Sequence, residues 1–305
     1  DISLPWIEFY RTFNSTQRVP GGIGSYWSHN LNMRLYEANP KMIAVANPGG
    51  SFVVYRQEEA IDGSGETLKP SGDGYVLTRQ DGRYTFNASG RLSHIERSAG
   101  DSLDIEFDSA ERISRVVHSS GRFIEFGYES ATVFDDSEPT HIRDRDGSLV
   151  TYSYDAEGRL VGATYRDDSS RRYQYEHETL PNLLTGIEDE SGNRFATYAY
   201  DAGGLAISSE HAGSTQKAKF EYQSDGSTLY TNALGAVERV TFTDANPYRK
   251  RSSITTQAGT ESWEYAAFNG ASGDFRRRVK SHTHRSGRID LYTYQDLTDP
   301  VFGEV

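Results

Sequence analysis

The sequence predicts an all-β fold, an array of antiparallel β-hairpins forming one curved sheet. Three observations predict it: turn signals recur at a nearly fixed period, aromatic residues alternate between them, and no window carries a helical pattern. Glycines in turn-like settings stand at Gly100, Gly121, Gly147, Gly192, Gly213, Gly235, Gly259 and Gly287. Their separations run from 21 to 28 residues, with one double interval after Gly147 whose missing turn falls at Asp167-Asp168-Ser169-Ser170. A period of this size marks a repeat architecture. No amphipathic stretch of period 3.6 exceeds about two turns, so helices are not expected.

The composition fits thin, half-wet sheet surface better than a thick core. Of 305 residues 35% are hydrophobic and 12% aromatic, with 20 tyrosines. Tyrosine packs its ring while keeping its hydroxyl solvated. The aromatic content also excludes a disordered chain. A net charge of −12 argues against nucleic acid or an anionic membrane as partner, since both need a basic footprint. The one basic cluster, Arg276-Arg277-Arg278-Val279-Lys280, reads as a solvated strand. The absence of cysteine excludes disulfides, thiolate catalysis and cysteine-based zinc sites. No apolar run is long enough to span a membrane. The chain opens at Asp1-Ile2-Ser3, with neither an initiator methionine nor a signal peptide, and is expected to be a cut piece.

Residues 1–50 differ from the rest. Ile7 to Ser15 reads as a strand, Gly21 to Asn30 as a glycine-rich loop and Leu31 to Tyr36 as a second strand. Residues 51–305 form the array, with 51–56 and 75–86 as its first hairpins. Each period has one grammar, clearest in Tyr152-Ser153-Tyr154-Asp155-Ala156-Glu157-Gly158-Arg159-Leu160. Residues two apart in a strand share a face, so Tyr-x-Tyr sets two rings side by side. Asp155 starts a turn through its side chain, Gly158 supplies the positive φ that closes it, and Leu160 begins the next strand. Tyr198 to Leu205 repeats the unit with Tyr200 and Asp201. Phe86 to Leu92 and Phe107 to Ile113 are worn copies. Tyr173/Tyr175, Phe220/Tyr222, Trp263/Tyr265 and Tyr292/Tyr294 keep the aromatic pair alone. The opposite turns, Asp81-Gly82, Ser120-Gly121, Asp146-Gly147, Ser191-Gly192 and Ser286-Gly287, read as ordinary hairpin signals. Pro139, Pro181 and Pro247 fall outside the clear strands.

The Tyr-Asp-x-x-Gly-Arg-Leu unit at Tyr154, Asp155, Gly158, Arg159 and Leu160 resembles the hallmark of YD repeats. The first stretch strengthens the resemblance. Arg11, Phe13, Asn14 and Ser15, followed by Gly22, Gly24, Trp27, Ser28 and His29, are similar to the segment that opens the shell of bacterial RHS proteins. Phe13 stands where that segment usually has tyrosine, and Ser25-Tyr26 precede the tryptophan. The resemblance implies a spiralling YD-repeat sheet, here a partial and open shell, that encloses a C-terminal toxin until delivery. Implied partners are the chain's own toxin domain or remaining shell segments, with secretion machinery, as in type VI secretion, or cell-surface glycans as further contacts. The implied location is outside the producing cell or in its target. No cofactor is implied. The family's self-cleaving core and variable toxin are not seen before Val305, so the front part of a shell is expected. Its open edges would invite pairing with another chain.

Candidate chemistry is sparse. His282 and His284 would share one strand face and could ligate a metal, but no third ligand is apparent, and no metal site is expected. Asp144-Arg145-Asp146-Gly147 lacks the remaining carboxylates of a calcium loop and reads as a plain turn. Ser28 and His29 are adjacent strand residues that point to opposite faces, so they make no nucleophile pair. Trp27, His29 and Asn30 are expected to fix the loop that starts the sheet. The expected function is structural and encapsulating, with no enzymatic activity. The alternative is a β-repeat module that binds carbohydrate or a cell surface.

Overall fold

A computed structural model describes residues 2–16, 21–39, 42–56, 58–60, 64–128, 138–243, 249–265 and 279–293. The arginines of the basic cluster, together with Pro247 and Tyr294, lie outside the described residues. The described chain is almost wholly antiparallel β, with one three-residue 3-10 turn at Ala212–Ser214. It divides into two compact units, Asp1–Ala196 and Thr197–Val305.

In the first unit the ladder begins at Arg34–Asn39, which pairs with Met42–Ala46, and each strand then pairs with the next as far as Gly186–Glu188. The connections are short, which is what lets neighbours in sequence become neighbours in the sheet. Alternation sets the core. Leu103/Ile105, Ile124/Phe126 and Val150/Tyr152 are buried pairs two residues apart, each directed to one face. Pro70 sits inside the strand Thr67–Ser71, against the expectation that prolines avoid strands; it pairs with Tyr75 but is itself exposed.

That buried face is covered by residues 2–16 and 21–33. Two small hairpins, Ile2–Leu4 with Ile7–Phe9 and Arg11–Phe13 with Trp27–His29, run across successive strands. Arg97 donates to the carbonyl of Trp6, Trp6 faces His118 at 5.9 Å, and Phe9 meets Phe126 edge-on at 5.6 Å. Ile7, Phe9 and Ile23 are at most 1% exposed. Burying each such side chain contributes about 1.5–3 kcal/mol. The expectation of a thin sheet therefore fails in this unit, because the opening segment supplies a second layer.

In the second unit the strands Ala206–His211, Thr215–Tyr222, Thr228–Thr231, Val237–Phe242, Arg251–Thr256, Gly259–Tyr265, Val279–Thr283 and Ile289–Leu291 pair in sequence order. Here the half-wet expectation holds. Among the described residues after Ala196 no apolar side chain is buried, and only Ser227 and Ser281 are.

Candidate functional site

The site is a joint, built from the turn of one hairpin and a tyrosine of the next. In the strand Gly147–Tyr154 the pairing register slips between Ser153 and Tyr154, so Tyr154 faces Leu160. The same bulge places Phe86 opposite Leu92 and Phe107 opposite Ile113. The bulge turns the strand into a five-residue closure. Asp155 N–H donates to the Arg159 carbonyl at 3.0 Å, and Gly158 N–H donates back to the Asp155 carbonyl at 3.0 Å. Asp155 Oδ1 accepts from the N–H groups of Glu157 and Arg159 at 3.1 and 2.9 Å. Its Oδ2 accepts from Arg159 Nε at 2.7 Å. Gly158 carries φ +71, the conformation that glycine adopts without strain.

Asn87, Asp108, Asp189, Asp201 and Asn232 make the same pair of side-chain contacts, to the N–H groups two and four residues on. Asp201 belongs to this set, but Leu205 stands where Arg159 does, so its turn has no ion pair from that position. Burial and the nearby Tyr198 push the Tyr200 hydroxyl up to about 12. In the Asp108 copy the glycine position holds Glu111, at φ +60.

The turns read as opposite ends fall into two kinds. Asp81-Gly82 and Asp146-Gly147 do close two-residue loops, with Arg79 facing Gly82 and Asp144 facing Gly147. Ser120-Gly121, Ser191-Gly192 and Ser286-Gly287 instead repeat the five-residue closure of the Asp155 turn, starting from His118, Asp189 and His284. The missing turn is present: Tyr165 N–H donates to Ser169, and Asp168 takes φ +64. Asp144 is engaged by Arg166 and by the N–H of Asp146.

In five hairpins the second aromatic of an aromatic pair completes the joint. Tyr128 Oη donates to the Ile113 carbonyl, Tyr154 to Pro139, Tyr175 to Leu160, Tyr222 to Ala206 and Tyr265 to Arg251, all between 2.7 and 2.9 Å. In two of these joints the ring of the same tyrosine carries the arginine of the preceding turn. Arg112 lies 4.2 Å from the Tyr128 ring centre and Arg159 lies 5.1 Å from that of Tyr175. Burial raises the Tyr128, Tyr154 and Tyr175 hydroxyls well above their ordinary range, so they stay protonated donors. The aromatic pair is visible in the sequence, whereas this clamp is not. The signal available was the constant spacing of about 15 residues from the strand start to the tyrosine.

The opening segment docks on the same joints. Ser25 N–H donates to the Gly158 carbonyl at 3.1 Å. Gly24, at φ +92, lies so close that an added Cβ would be 3.1 Å from Leu160 Cβ. Trp27 Nε1 donates to Tyr175 Oη at 2.9 Å. Arg11 Nη2 donates to Tyr173 Oη at 2.6 Å, and its guanidinium lies 5.0–5.4 Å from the rings of Trp27, Tyr152 and Tyr173. Asn14 donates to the Gly49 carbonyl and Ser28 Oγ accepts from Gly49 N–H. Gly22, at φ +73, passes under His29. His29 is 4% exposed, packs on Phe9 and Phe126, and its Nδ1 finds no protein hydrogen-bond partner. Burial, then Arg34, pushes its pKa down to about 3, so the ring is neutral. The structure thus brings Arg11, Gly24 and Trp27 together with Tyr154, Asp155, Gly158 and Arg159, while Tyr200 and Asp201 belong to the second unit.

A family model described as RHS Repeat matches residues 136–170, the region of these joints. This stretch is thus similar to an RHS repeat. A second model, described as a domain of unknown function (DUF6531), matches residues 2–55 of the chain. No curated protein matches it. Among solved structures it is similar to a TcdB2-TccC3 crystal structure, at 14% identity and a TM-score of 0.34, over 82% of this chain and 15% of that one. It is similar to a Photorhabdus luminescens Tc holotoxin pore at 13% identity and TM-score 0.34, over 82% and 14%. A porin-like protein from Bacteroides uniformis matches at 12% identity and TM-score 0.25, over 74% and 92%. The chain therefore spans about 15% of the length of the toxin chain first compared. No helix among the described residues is long and apolar enough to cross a membrane.

Proposed function

We propose that this RHS-repeat segment builds part of a shell wall that encloses a toxin carried by the same polypeptide, for delivery outside the producing cell. The observation that carries this reading is the joint. The tyrosine of one hairpin bonds the main chain of the hairpin before it, as Tyr175 does to Leu160, so hairpins can be added one after another without a new core at each step. The wall is then extended by hydrogen bonds and ring contacts, each worth a few tenths to about 1 kcal/mol. The faces of the second unit carry half-exposed serine, threonine, tyrosine and charge, a surface suited to holding a chain without gripping any one shape of it. A sugar-binding module would present its aromatic rows to solvent. In the first unit Phe126, Tyr152 and Tyr173 are buried, and Tyr128, Tyr154 and Tyr175 have their hydroxyls committed, which favours the wall.

Limited proteolysis of the full-length protein that carries this segment tests the reading. The enclosed domain should survive protease that digests the same domain expressed alone, and Tyr128→Phe with Tyr175→Phe should raise its cleavage. Equal sensitivity of the enclosed and free domains would overturn the proposal.

A further inference from the structure

We propose that Glu261, His282 and His284 bind a divalent transition-metal ion, zinc by its ligand chemistry, with Asp290 as a fourth donor. The register creates the site. Trp263 pairs with His282 and Ser262 with Thr283, so Glu261 comes level with His284. On the other side His282 pairs with Asp290. Glu261, His282, His284 and Asp290 therefore share one face of three adjacent strands.

Three of the four sets of ligand atoms converge directly. Those of Glu261, His282 and His284 all lie within 4.8 Å of one another. His282 Nε2 is 2.7 Å from Glu261 Oε1, His284 Nε2 is 2.7 Å from Asp290 Oδ2, and the two imidazole centres are 4.0 Å apart. The set is half-sheltered, with side-chain exposures of 15% for His282 and 26% for both Glu261 and His284. Trp263 stacks on His282 at 4.9 Å and 10°, which fixes the plane of that ring. Two imidazoles with carboxylate oxygens are ligands for zinc and its neighbours, whereas calcium and magnesium take oxygen sets.

Positive charge already sits at the edge of this cluster. Arg288 Nη2 is 2.9 Å from His284 Nε2 and 3.1 Å from Asp290 Oδ2, and Arg285 Nε is 3.9 Å from Glu261. His284 Nε2 cannot both donate to Asp290 and accept from Arg288, so one of these contacts is always poor. An ion on that nitrogen removes the conflict, and Arg288, 68% exposed, is free to turn outward. The bound ion would link Gly259–Tyr265 to Val279–Thr283 across the 266–278 connection. It would do so in a unit whose described strands bury no apolar side chain, and mass action would stabilise the folded sheet.

The test is calorimetric titration of zinc into the chelator-treated chain, with cobalt(II) as a spectroscopic probe. One equivalent of zinc should bind. Cobalt should give the intense visible bands of a four-coordinate site and quench Trp263. H282A and H284A, checked for fold by circular dichroism, should each weaken binding by at least about 10- to 100-fold, and E261Q by about tenfold. W263F should bind zinc but lose the quenching. Absence of binding to the native chain, or unchanged affinity in the H282A/H284A double variant, would overturn the proposal.

Discussion

Replacing Asp155 by alanine removes three contacts at once and leaves the main-chain closure of the turn intact. The Glu157 N–H is exposed and turns to water at a cost of a few tenths of a kcal/mol. The Arg159 N–H, part-buried and 2.9 Å from the carboxylate, has no such recourse, and its loss costs about 1–2 kcal/mol. The ion pair with Arg159, at 2.7 Å with side chains 16% and 20% exposed, adds about 1 kcal/mol. Asp155→Ala should therefore weaken the joint by about 3 kcal/mol. Asp155→Asn is the internal control. Asn87 accepts from Ser89 and Arg91 at 3.1 and 3.0 Å, so an asparagine already forms this turn elsewhere in the chain. The asparagine variant should lose only the ion pair, about 1 kcal/mol. Hydrogen exchange at the Gly158 and Arg159 amides should speed up roughly 150-fold in the alanine variant and roughly fivefold in the asparagine variant. Equal effects of the two substitutions, or less than about a threefold change in either, would refute the reasoning.

Three further outcomes are expected. Gly24→Ala places a methyl group against Leu160 at φ +92, and urea unfolding should show a loss of about 2 kcal/mol in the first unit. His29 is neutral when folded, with its pKa pushed to about 3 by burial. The unfolded chain takes up that proton below about pH 6.5, so stability should fall as the pH drops from about 6.5 toward 3 by up to about 1.4 kcal/mol per unit; His29→Gln should remove this slope. Glu111→Gly relieves a φ of +60 and forfeits an exposed pair with Arg91, so it should stabilise the chain by up to about 1 kcal/mol in thermal melts.

Much of this was legible because the turn chemistry is local. Asp155 and Gly158 act within five residues, so their spacing alone announces the closure, and the alternating aromatics announce the strands beside it. The copy at Phe107 to Ile113 could be read despite Glu111, since glycine is favoured at that φ but not required. The Ser-Gly turns misled because the closure depends on main-chain bonds to His118, Asp189 and His284, not on the serine. The tyrosine clamps, the cover laid across the sheet by residues 2–16 and 21–33, and the meeting of Glu261 with His282 and His284 all depend on cross-strand register. A bulge shifts that register by one residue, and with it which side chains share a face. That is why Arg11, Gly24 and Trp27 could be singled out as a motif without the Tyr154–Leu160 turn being seen as their dock.

A chain without cysteine lends itself to one decisive measurement, oxidative cross-linking between consecutive hairpins. Glu125 faces Arg143, with their side chains 3.0 Å apart, and Arg172 faces Glu188. The pairs Glu125→Cys/Arg143→Cys and Arg172→Cys/Glu188→Cys should form disulfides under mild oxidation, while Glu125→Cys/Arg145→Cys should not. Free thiols in both matched pairs, or efficient closure of the mismatched one, would contradict a ladder that runs unbroken from each hairpin into the next.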